Sequence, residues 1–128
     1  MTSIRKASVA ALALTSTVAA MNTQAKTDLT VYTALEADQL KAYASAFEKN
    51  NADVKINWVR DSTGIITARL LAEKANPQAD VVLGLAATSL LVLKDQEMLQ
   101  SYAPKGADKL SAKFVDADKS PSWIGMDA

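Results

Sequence analysis

Three short segments hold the residue types best suited to chemistry: Thr33-Ala34-Leu35-Glu36, Asp61-Ser62-Thr63-Gly64 and Gly84-Leu85-Ala86-Ala87-Thr88-Ser89. In each, hydroxyl or small side chains stand where an apolar run gives way to helical spacing. The first amides of a helix have no intrahelical acceptor, and the helix dipole favours negative charge beside them. Thr33, Ser62, Thr63 and Thr88 add hydroxyl donors, while Ala34, Gly64, Ala86 and Ala87 let a ligand approach the backbone. This chemistry holds an anion and breaks no bond. For any one segment, plain helix capping explains the same residues.

Other chemistries find less support. The 128 residues include no Cys and no His. Thiolate or imidazole zinc sites, disulfides, a Cys nucleophile and a Ser-His-Asp triad are therefore excluded within the chain. The glycine-rich nucleotide loops and the GxSxG nucleophile elbow are missing. Glu36 with Asp38, and Asp116 with Asp118, are spaced as acid/base or metal pairs. Solvated helix or loop charge is the simpler reading of both pairs. Trp58 lies in an alternating run and reads as core, which leaves Trp123 as the better aromatic ligand candidate. No cofactor and no metal site is expected, and the chain does not read as an enzyme.

The elements that must position the three segments follow from hydrophobic period. Strands are expected over 28–33, 54–59 and 80–83, the last fully apolar and thus suited to a central, buried place. Helices are expected over 35–49, 65–74 and 88–93, the last reaching towards residue 95 and largely buried. Leu40, Tyr43, Ala44 and Phe47 share one face of the first helix. Alternating strands and helices imply an α/β fold, a parallel sheet flanked by helices with right-handed crossovers. All three segments then reach the carboxyl edge of the sheet, where ligands bind in open α/β folds. After Met98 the pattern weakens, with a short helix expected near 108–113 and a strand beginning at Trp123.

Residues 1–25 have the plan of a secretory signal: Arg5 and Lys6, an uncharged Ala-rich run, then small residues before Lys26. A single membrane anchor is the alternative, but the apolar run is shorter than the ~20 residues of a span. Residues 26–128 carry 12 basic and 14 acidic side chains, a net charge of −2. That balance disfavours a nucleic-acid partner, which calls for a basic face. A soluble protein exported to the periplasm is expected. Residues 26–128 read as an incomplete domain, because three strands and an interrupted fourth make a thin parallel sheet.

The stretches LTVYTALEADQLKAY, VRDSTGIITARLLAEKANPQADVV, GLAAT, YAPKG and PSWIGMDA resemble the periplasmic solute-binding proteins of ABC importers. Among these they are similar to the 2-aminoethylphosphonate-binding group, a relative of the ferric-ion-binding proteins. The resemblance implies a two-lobed, hinge-closing protein of type II-like fold, with 26–128 forming part of its amino-terminal lobe. It implies a monomer that hands a small phosphonate to an ABC permease in the inner membrane. The implied ligand-binding residues are Thr33, Ala34, Glu36, Ser62, Thr63, Gly64, Ala86, Ala87 and Thr88. Glu36 and Asp127 are candidates for an ammonium group on the ligand. Iron-binding relatives often place a His near Glu36 and a Glu near Leu85, and neither is matched. Phosphonate relatives commonly have Trp at Leu83. Ferric iron, a polyamine or another small anion on the same fold is the alternative.

Overall fold

A computed structural model describes residues 26–125 of the chain. The signal-peptide reading of 1–25 and the candidate Asp127 lie outside the described residues. Three strands, β1 (Thr27–Thr33), β2 (Val54–Arg60) and β3 (Val81–Leu83), alternate with three helices, α1 (Ala37–Asn50), α2 (Thr63–Ala72) and α3 (Ala87–Asp95). The strands form one parallel sheet in the order β2-β1-β3. This is the expected α/β architecture. Because the chain steps from β1 to β2 and then back past β1 to β3, right-handed crossovers put α1 on one face and α2 on the other.

The face under α2 and α3 is closed. Tyr32 projects from β1 into Ile66 and Leu70 of α2 and Leu90 and Leu93 of α3, with Leu85 completing the cluster. Spacings of four in α2 and three in α3 put each pair on one helical stripe. Ile66 and Leu93 are each only 1% exposed. The Tyr32 hydroxyl donates to Glu73 at 2.8 Å, and Arg69 bonds the same carboxylate at 2.8 Å while lying over the tyrosine ring. The hydrogen bonds from Arg69 and Tyr32 lower the Glu73 pKa, and burial followed by the Glu73 bond raises that of Tyr32.

The α1 face is open by comparison. Leu40 is buried, yet Tyr43 is 54% and Phe47 38% exposed, so the helix covers the sheet with part of its expected apolar stripe. An apolar groove of about 250 Å³ remains between them, floored by Leu29, Val31, Ile56 and Trp58. Trp58 is thus half-buried in a groove wall, where the alternation predicts core.

Two further expectations are corrected. The apolar strand β3 is not central: β1 holds the middle, and three-residue β3 lies at an edge with Val81 exposed. Asp80 pins its start, accepting from Thr30 N–H at 2.8 Å while its own N–H donates to Thr30 C=O at 2.9 Å. Helix α3 is half-buried, because Leu91 and Val92 face solvent opposite Leu90 and Leu93. Beyond α3 come single 3-10 turns at Ala107–Lys109 and Ala112–Phe114. Among the described residues Trp123 starts no sheet strand. The segment makes one isolated antiparallel bridge, Val115 with Ile124.

Candidate functional site

The site begins with the direction of the strands. All three run parallel, so the loops 34–36, 61–62 and 84–86 leave the same edge of the sheet and each leads directly into a helix. In α1 the first i→i−4 bond is Leu40 N–H to Glu36 C=O at 3.1 Å. In α2, Ile65 N–H donates to the Ser62 hydroxyl at 3.4 Å and Ile66 N–H to Ser62 C=O at 2.9 Å. In α3, Ser89 and Leu90 N–H both turn to Ala86 C=O. This leaves the amides of Ala37 and Asp38, Thr63 and Gly64, and Ala87 and Thr88 without an acceptor among the described residues. Six donors in three pairs therefore stand on one edge, each pair at the positive end of a helix dipole.

The structure differentiates the candidate residues. Ser62 is exposed and caps α2, and the neighbouring Asp61 carboxylate already accepts Ser62 N–H at 2.7 Å. Thr63 is half-buried, and its carbonyl accepts the Thr67 hydroxyl. Ala86 is the N-cap of α3 and has no side chain to occupy the free amides, while Thr88 is exposed in the first turn. Thr33 is fully buried, and its hydroxyl accepts Leu35 N–H at 3.1 Å, so it shapes the loop rather than facing outward. Ala34 is half-buried beside the core cluster. Glu36 N–H is held by Gln39 at 3.1 Å, and the Glu36 carboxylate pairs with Arg60.

Sequence reasoning missed two residues. Arg60 ends β2 beside Thr33, and its guanidinium donates to Leu35 C=O at 2.7 Å as well as to Glu36. Gly84, not Gly64, is the glycine whose lack of a side chain matters. Gly64 has open space around it, whereas a Cβ on Gly84 would lie 2.2 Å from Leu35 Cγ. Gly84 also has φ +69°, which disfavours any other residue. The signal for Gly84 was its place directly after a strand. The signal for Arg60 was a charge closing an alternating strand.

Of the carboxylate pair, Asp116 is a structural clamp and not a solvated charge, whereas Asp118 remains an exposed loop charge, 61% open to solvent. Asp116 is buried, accepting from Lys94 Nζ at 2.5 Å and from both Ser122 N–H and its hydroxyl. Lys94 bonds Asp118 at 2.8 Å as well. Burial opposes the Asp116 charge, but these hydrogen bonds outweigh it and hold the carboxyl far below its ordinary pKa. Hydrogen bonds to Asp116 and then Asp118 raise the Lys94 pKa. Among the described residues no group of three or more metal-ligating side chains forms, and no helix is long and apolar enough to cross a membrane.

A cavity larger than the α1 groove lies elsewhere. About 1020 Å³ opens along the free edge of β3, between Leu90, Leu93, Met98, Leu99 and Trp123. Its lining is mainly apolar, and it meets the three loops only at Leu35, Gly84 and Leu85. Trp123, the aromatic ligand candidate, packs against the core there with its Nε1 buried and unpaired. An anion needs donors and a positive potential, so the loop edge suits one better than this apolar cleft.

No protein-family model matches the chain. Over 64 residues, half of the chain, it is 42% identical to a probable ABC transporter periplasmic-binding protein of Sinorhizobium fredii, of which it spans 18%. Among solved structures it is similar to the periplasmic binding protein AfuA from Actinobacillus pleuropneumoniae with exogenous fructose-6-phosphate bound. That likeness has 30% identity and a TM-score of 0.67, and covers 77% of this chain and 30% of AfuA. Iron-bound HitA from Pseudomonas aeruginosa matches with 21% identity and a TM-score of 0.70, over 78% of this chain and 32% of HitA. The chain therefore has the fold found in periplasmic binding proteins and spans about a third or less of the length of these proteins.

Proposed function

We propose that the chain is the first part of the amino-terminal lobe of a two-lobed periplasmic solute-binding protein, exported by residues 1–25. It binds a small phosphonate, with 2-aminoethylphosphonate as the leading ligand, for delivery to an ABC permease. It performs no catalysis and works as a monomer. The observation that carries this reading is the set of six unpaired amides at three helix starts on one sheet edge. A phosphonate has three acceptor oxygens and negative charge, and so matches donors of this kind without a metal. Ser62, Thr63, Gly64, Ala87 and Thr88 contact the oxygens. Ala34 and Ala86 leave room for the ligand, and Thr33 fixes the first loop from beneath. Glu36 is available to an ammonium only in competition with Arg60.

The likeness to AfuA supports a phosphate-bearing ligand as the second reading, since that protein was solved with fructose-6-phosphate. The likeness to iron-bound HitA speaks to the fold alone. Calorimetric titration of the complete protein that carries this segment separates the readings. The phosphonate reading expects saturable 1:1 binding of 2-aminoethylphosphonate at micromolar affinity or tighter, about −8 kcal/mol or more favourable. Preference for fructose-6-phosphate under the same conditions moves the assignment to sugar phosphates. Binding of neither, with uptake of ferric iron, discards the anion site.

A further inference from the structure

Three loops from three strands must keep fixed relative positions if their helix starts are to meet one ligand. A single chain of contacts joins them. Arg60, the last residue of β2, is in register with Thr33 of β1. Its Nε donates to Leu35 C=O at 2.7 Å, and its Nη2 pairs with the Glu36 carboxylate. Leu35 is held from the other side as well, its N–H donating to the Thr33 hydroxyl at 3.1 Å. The Leu35 side chain then lies against the bare Cα of Gly84, the first residue of the loop leading to α3. The strand order reverses at β1, so this contact sits between the carboxyl ends of β1 and β3, where a ligand crevice opens in such sheets.

We infer that Arg60 is a positioning residue of the anion site, acting through Leu35 and Gly84 as a latch that sets all three helix starts. Its effect on binding rests on the anion reading above, while the latch itself rests on these contacts alone. A fixed guanidinium fork suits the task, because one planar group bonds a carbonyl and a carboxylate together. Lys has its three donors on one nitrogen, so it would have to reach the carbonyl and the carboxylate from a single point rather than from a planar fork. The Arg60 side chain is 41% exposed, and an ion pair so open to water adds little stability. Its loss should therefore disturb loop position far more than folding. The latch also matches the Glu36 charge, which leaves Asp61 as the carboxylate beside the amides of α2, itself bonded to Ser62 N–H.

The test uses the complete protein with Arg60→Gln, Arg60→Lys, Gly84→Ala and Leu35→Ala/Gly84→Ala. The probes are 2-aminoethylphosphonate and inorganic phosphate. Arg60→Gln should weaken binding of whichever probe the parent takes by about tenfold or more, with Arg60→Lys between it and the parent and the unliganded melting temperature unmoved. Gly84→Ala should weaken binding further, with partial recovery in the double variant as the Leu35 side chain is cut back. The amide resonances of Ala86, Ala87 and Thr88 provide a readout that needs no ligand. They should shift in Arg60→Gln, although that residue touches none of them. Shifts confined to 33–39 and 60–61, or affinity unchanged in Arg60→Gln, would overturn the latch. If the parent takes neither probe, the phosphonate reading fails and the resonances alone decide the latch.

Discussion

The sheet face under α2 and α3 and the carboxyl edge of the same sheet are built from opposite materials. Beneath the helices, Tyr32, Ile66, Leu70, Leu90 and Leu93 exclude water, and the Tyr32 hydroxyl is satisfied by Glu73. At the edge, small side chains leave amides without an acceptor among the described residues. The first region lowers the free energy of the fold. The second forgoes hydrogen bonds that a ligand can supply. Stability and binding should therefore respond to different substitutions, and the contrast can be broken at either end.

The largest effect on folding is expected in the closed face. Leu93→Ala should cost about 2–5 kcal/mol by denaturant unfolding, since a 1%-exposed leucine leaves a cavity on removal. The molecules that remain folded should bind as the parent does. A fall in both together would show that face and edge are not separable. Ser62→Asp should do the reverse. Aspartate caps a helix as well as serine, so α2 keeps its start. A carboxylate ~4 Å from a bound anion costs about 4 kcal/mol at an effective dielectric of 20, enough to remove binding in a titration. Retained affinity would move the ligand away from the loop.

The clamp at Asp116 gives an intermediate effect with a definite sign. Its folded pKa is lowered from the ordinary 3.8, so the stabilisation is present above that value and is lost as pH falls through the folded value. Lys94, raised above 10.5, contributes below that pH and loses its contribution as pH rises through its folded value. Lys94→Met should therefore move the acid unfolding midpoint upward, as read by circular dichroism. An unmoved midpoint would mean that the clamp adds nothing. The smallest change is expected on the open α1 face, where Phe47→Ala should cost under about 1 kcal/mol because the ring is already partly in water. A cost matching that of Leu93→Ala would show that the face is covered in the complete protein.

Order and type of the elements were legible, because period 2 and period 3.6 alternate cleanly from Thr27 to Asp95. The three loops were legible as well, as parallel strands oblige them to share an edge. Strand position was not. An apolar triplet such as Val81-Val82-Leu83 looks the same in the middle of a sheet and at an edge. Contacts between distant residues were also hidden. Lys94 meets Asp116 across 22 positions and Arg60 meets Leu35 across 25, and neither spacing has a local signature. Gly84 was legible only as the first residue of its loop, since the requirement for glycine there comes from the distant Leu35 side chain. In α1 the helical period correctly grouped Leu40, Tyr43 and Phe47, but period says which residues share a face and not what covers it.

Whether the three helix starts hold the anion is decided by a crystal structure of the complete protein with 2-aminoethylphosphonate. Phosphonate oxygens should lie within hydrogen-bonding distance of the amides of Thr63, Gly64, Ala87 and Thr88, with the Ser62 hydroxyl alongside. A phosphonate bound in the apolar cleft beside β3 and Trp123, or held by side chains remote from these loops, would contradict that placement.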